Sequence, residues 1–129
     1  MKLRAGRKMT EKNDLVLFQK HCQKWVDKLG LTDWDFRVTL NDDADNGNVL
    51  LNPEGRKAYI GLCRKREPEV SIEQIAKHET LEILFADISF LLQTYYSKEL
   101  IDDEIHKVIN RLMVVLLEDD NDFKERGLK

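Results

Sequence analysis

The segment SIEQIAKHETLEILFADISFLL occupies residues 71 to 92. Its apolar spacing is that of a helix, opened by a Ser71 and Gln74 capping box just after Pro68. At about 100° per residue, Glu73, Lys77, Thr80, Asp87 and Thr94 share one stripe, which is expected to face water. His78 and Glu82 are one turn apart and project together from the opposite side, near Ile75 and Phe85, where the wheel puts the interior. An ionised carboxylate placed there is costly unless a partner or a bound cation compensates it. Glu79 lies beside the pair, about 100° round the same helix.

On the N-terminal side, RKREPE (residues 64–69) reads as a solvated connector; its functional reading is a basic rim for an acidic partner or a substrate main chain. Residues 48–63 predict a hairpin, with strands Val49 to Asn52 and Arg56 to Leu62 around Pro53-Glu54-Gly55, a type I turn followed by a left-handed residue. NDDADNGN, residues 41–48, reads as a loop and lacks the closing glutamate of a calcium-binding loop. Trp34, Phe36, Val38 and Leu40 alternate with Asp35, Arg37 and Thr39, which predicts a strand over 33–40 with one wet face. Leu15, Phe18, Cys22, Trp25 and Leu29 recur at helical spacing, predicting a helix capped by Thr10 and ended by Gly30, with His21 on its surface. Residues 1–9 are expected to be a flexible basic lead.

On the C-terminal side, QTYYS (residues 93–97) is a tight reversal, and Ser97 can cap a last helix. Ile101, Ile105, Val108, Leu112, Val115 and Leu116 form its apolar stripe, and residues 119–129 read as a flexible polar tail. The predicted order is therefore α-β-β-β-α-α. It is a single α+β domain spanning 1–129, with a small antiparallel or mixed three-stranded sheet packed on helices.

The composition narrows the function. Charged residues make up 35 % and apolar residues 42 % of 129, a globular balance that can bury a core without metal or disulfide staples, so a metal would serve function. A net charge of −3 argues against nucleic-acid binding driven by overall charge, while a local basic patch stays open. No apolar run approaches the ~18 residues of a membrane span, and the basic N-terminal stretch lacks the apolar centre of a signal peptide. Cys22 and Cys63 are isolated, which points to reduced thiols in a cytoplasmic protein, and nothing near either argues for a nucleophile.

The third polar group follows from the reversal. If the chain turns near Thr94 or Tyr95, the flanking helices pair antiparallel and His106 comes level with Glu82 and Ile83. Glu104, nearer the reversal and closer to the apolar stripe, is the alternative; level is weighed above wheel angle, which favours His106. His78, Glu82 and His106 are two imidazoles and a carboxylate, a set suited to zinc with one position left for water, or to another divalent metal. Glu79 is then placed as the general base of a metal-dependent hydrolase. Against this stand a simple buried His78–Glu82 pair and a tilted helix that leaves both groups wet.

KHETLEILFADI followed by EIHKVINRLMVVL resembles small phage-encoded metallopeptidases, relatives in layout of the SprT-like and other zincin proteases. KWVDKLGLTDWDFRVTL (24–40) and RKAYIGL (56–62) resemble them too, so the likeness extends over about residues 15 to 117. It implies a minimal zincin-like fold, a peptide or protein substrate, zinc held by His78, Glu82 and His106, and Glu79 as base. Glu82 stands where the zincin pattern has a second histidine, which leaves two readings. One is a zinc peptidase in which the strand Arg56 to Leu62 offers its edge to an extended peptide. The other is a non-catalytic interaction or regulatory module of phage or mobile-element origin, which binds a protein or nucleic acid.

Overall fold

The computed structural model describes the backbone of residues 2–118 and the side chains of residues 9–116. Its elements are α1 (Lys2–Lys28), β1 (Asp35–Asn41), β2 (Gly47–Asn52), β3 (Lys57–Cys63), α2 (Ile72–Leu84), α3 (Ala86–Leu92) and α4 (Lys98–Glu118). The expected α+β class and mixed three-stranded sheet are those observed, in one small domain. Within it two compact units are distinguished, Met1–Leu84 and Phe85–Lys129.

In the first unit, α1 begins at Lys2 rather than at a Thr10 cap. Residues 2–9 are mostly good helix formers broken only by Gly6, so the helix runs through Thr10. Phe18, Cys22 and Trp25 are buried, as the spacing predicts; Leu15 and Leu29 at the ends of the stripe are half-buried, and Val26, outside it, is buried as well. Gly30, at φ +71°, ends the helix: its N–H donates to the Asp27 carbonyl and that of Leu31 to the Val26 carbonyl, the paired bonds of a Schellman cap.

The strand order is β1-β3-β2, with β3 parallel to β1 and antiparallel to β2. The hairpin is where the turn residues put it. Arg56 N–H donates to the Pro53 carbonyl at 3.3 Å, and Arg56 is the left-handed residue, at φ 54°. Its conformation is held from outside, because its guanidinium pairs with Asp33 and lies 4.4 Å from the centre of the Trp34 ring. The expectation that this third strand offers a free edge is overturned, since β1 and β2 pair with both sides of β3. Four of the last residues of β3, Ile60 to Cys63, are buried in succession, the pattern of a central strand.

The connector RKREPE is tied down through its arginines. Arg66 donates to Asp14 at 2.7 Å and to the Cys63 carbonyl, and Arg64 pairs with Glu11 and Asp42. These bonds clip the sheet's exit to α1 and favour the connector reading over a free basic rim.

In the second unit, Ser97 caps α4 as expected, its hydroxyl accepting the Leu100 N–H at 3.2 Å. The single helix expected over 71–92 is broken at Phe85, whose φ −92°, ψ 2° lies in the sparsely allowed bridge region, so four helices are present where three were expected. No glycine or proline marks the break. The stripe predicted to be inward on α4 is only partly covered: Ile101 is buried, Ile105, Leu112 and Leu116 are half-buried, and Val108 and Val115 are exposed. Length explains it, because the seven residues of α3 reach about 10 Å against about 32 Å for the 21 of α4. The expected tail at 119–129 lies outside the described residues. Among the described residues no helix is long and apolar enough to cross a membrane.

The strand order is checked by truncation. Ile60, fully buried on β3, is expected to cost about 2–5 kcal/mol as Ile60→Ala, whereas Leu50→Ala on edge strand β2 should change stability by less than about 0.5 kcal/mol. Urea unfolding of the two variants reads both values.

Candidate metal centre

Helix α2 carries His78, Glu79 and Glu82, and its N-terminus is fixed by reciprocal side-chain bonds. Gln74 N–H donates to Ser71 Oγ and Ser71 N–H to Gln74 Oε1, both at 3.1 Å. From there the helix is covered on more sides than the wheel predicts. Lys77 and Thr80, expected to face water, are buried. The Lys77 ammonium lies 5.1 Å from the centre of the Trp25 ring on α1, and the Thr80 hydroxyl donates to the carbonyls of Ala76 and Lys77. A long aliphatic stem ending over an aromatic face, and a hydroxyl satisfied within its own helix, let both residues be buried where polarity alone predicts exposure.

His78 and Glu82 are correspondingly less interior than expected. Both are half-buried, so they form a ledge within reach of solvent rather than part of a sealed core. A ring nitrogen of His78 and a carboxylate oxygen of Glu82 lie within 4.8 Å of each other, as the one-turn spacing requires.

Glu79 is the buried member of the set, only 5 % exposed, and its Oε2 has no hydrogen-bond partner. Burial is the main reason its carboxyl is held well above the usual carboxylate range; a hydrogen bond with Glu82, and the charges of Glu82 and Asp45, push the same way. A carboxyl buried against a second one tends to keep its own proton unless a positive charge is brought to it. Cys22, on the facing helix, is buried, and burial together with the charge of Glu79 pushes its thiol up to about 12. A thiol so raised stays protonated and is no nucleophile.

The sheet side of Glu79 is closed by a residue that the sequence reading passed over. Gly47 opens β2, and a Cβ there would sit 2.5 Å from Ile75 Cγ2 and 3.2 Å from Glu79 Cγ. Only glycine lets β2 come this close to α2. Its one signal was its place in NDDADNGN, where glycine reads equally well as a loop residue.

His106 lies on α4, half-buried, with Nδ1 2.7 Å from the Asp102 carbonyl oxygen. A carbonyl only accepts, so Nδ1 carries the hydrogen and the lone pair is on Nε2, the arrangement a ligating histidine adopts. Glu104, the alternative third ligand, is exposed and ion-paired with Lys107 at 2.9 Å. His78, Glu82 and His106 are a group of side chains that could hold a metal ion, found among the described residues. Two imidazoles and a carboxylate fit a borderline divalent cation.

No family model, curated protein or solved structure matches this chain.

The state of Glu79 has a measurable pH signature in protein held free of metal by chelator. Its folded pKa is raised above the unfolded value of about 4.3, so its contribution to stability is fully present below that value and is lost as pH rises toward the folded pKa. Between pH 5 and 8 the parent should lose up to about 1.4 kcal/mol per pH unit relative to Glu79→Gln, whose side chain does not titrate. Unfolding free energies of both proteins across that range check the slope.

Proposed function

We propose that this chain is a zinc-dependent peptidase-like hydrolase, with His78, Glu82 and His106 holding the metal and Glu79 acting as general base. The observation that carries the proposal is the group of two imidazoles and one carboxylate, with a buried carboxyl adjoining it in sequence and in space. Zinc bound there would supply a Lewis acid that polarises a carbonyl and makes water a better nucleophile near neutral pH.

The remaining work falls to the chain's own groups. Glu79 exchanges a proton at its unsatisfied oxygen, and the close approach of Gly47 to its Cγ packs β2 against the stem of that side chain. With the negative charge of Glu82 neutralised, the main electrostatic reason for Glu79 to keep its proton is weakened, which moves it toward the range of a working base. Substrate is an extended peptide or protein segment. Because β3 is paired on both sides, the strand that would receive it is β2, the edge next to α2. Free, buried Cys22 and Cys63 suit a reducing compartment, and the cytoplasm is the proposed location.

The non-catalytic module, of phage or mobile-element origin like the peptidases that the chain resembles, is the second reading. One observation favours it: a broad exposed apolar surface in the second unit, of the kind that binds proteins.

The assignment of roles separates by mutation. Protein prepared without chelator is expected to contain about one zinc per chain by elemental analysis. His78→Ala should lose the metal while keeping its helical circular dichroism, and Glu82→Gln should weaken binding. Glu79→Gln should keep full occupancy and lower peptide hydrolysis by about 10²- to 10⁴-fold. Loss of metal in Glu79→Gln would reverse the roles of base and ligand, and absence of hydrolysis by the parent across a broad peptide panel would favour the interaction module.

A further inference from the structure

The second unit has an unusual distribution of apolar surface. Only Ala86, Ile101 and Ile109 are buried among its described apolar residues, while Ile88, Phe90, Leu91, Tyr95, Tyr96, Leu100, Val108, Val114 and Val115 are exposed. Helices α3 and α4 enclose a groove of 360 Å³ whose walls include Ile88, Tyr96, Leu100, Ile105 and Val108. The groove follows the N-terminal half of α4. Val114 and Val115, each 60 % exposed, form an apolar ridge on the other half of the same helix.

We infer that this groove is filled by a second copy of the chain, through a two-fold contact in which the two α4 helices run antiparallel. Groove and ridge are on one rigid helix, so a chain cannot seat its own ridge in its own groove. An antiparallel mate does it twice, placing each ridge against the other's groove, which is the self-complementarity an isologous interface requires. In that register Leu100 faces Val115, and Val108 lies next to the axis, all three exposed on the single chain.

Charge selects the same arrangement. Glu104 and Arg111 are seven residues apart, so they flank the apolar stripe on the same side, and both are exposed. In an antiparallel pair, equivalent flanking positions of the two helices face each other, and Glu104 meets Arg111 of the second copy on both sides of the axis. A parallel pair would bring the two like halves of α4 together, with Glu99, Asp103 and Glu104 crowded against their own copies. The contact does not depend on a metal.

Sedimentation velocity of the full chain, with and without chelator, tests this. A mass of twice 15.2 kDa at micromolar concentration is expected under both conditions. Glu104→Arg and Arg111→Glu should each raise the dimer dissociation constant by roughly tenfold or more, by setting like charges opposite each other, and the double exchange should restore it. Circular dichroism of the single variants, matched to the parent, ensures that the loss is of association and not of folding. A monomer at all concentrations up to about 100 µM, a dimer seen only without chelator, or charge variants that dimerise like the parent would each overturn the inference.

Discussion

The carboxyl of Glu79 is buried in the wedge between α2 and β2 while touching a second carboxylate, and the arrangement of the first unit follows from accommodating it. Position 47 must be a glycine for the strand to come this close to α2, because a Cβ there would clash with Ile75 and crowd Glu79. The capping box holds the first turn of α2, the helix that carries Glu79. Where two acids are forced together at a partly dry surface, either a proton or a cation settles the repulsion. With Glu82, the imidazoles of His78 and His106 make up a group that could hold such a cation.

Much of this was legible because it is local. Hydrogen bonds within three or four residues fix the capping box of α2, the cap of α4 and the turn at Pro53, and these residues announce themselves by type and spacing. Period-two alternation in β1 and the stripe through Phe18, Cys22 and Trp25 are legible for the same reason. The pair His78 and Glu82 could be read from its spacing, and Glu79 from its place beside them.

What escaped the sequence depends on distant partners. Lys77 looks like a surface residue until Trp25 is set over against it, and that contact spans 52 positions in the chain. The pairing of β1 with the far side of β3 is equally non-local: a hairpin read from its turn cannot say which strand will join it, and β3 moved from an edge to the centre. Phe85 breaks the helix without a glycine or a proline. The short α3 that results leaves α4 half uncovered, so an apolar stripe that reads as core in the sequence is surface on a single chain. The α4 stripe was read correctly as apolar; its partial exposure was not legible, because it depends on the length of the helix beside it.

The most direct measurement is X-ray diffraction from crystals grown with zinc, recorded on both sides of the zinc absorption edge. The account predicts one strong anomalous peak per chain, bounded by a nitrogen of His78, Nε2 of His106 and a carboxylate oxygen of Glu82, each about 2.0–2.2 Å away, with Glu79 outside the coordination shell. No peak there, or a peak held by Glu79 in place of Glu82, would contradict it.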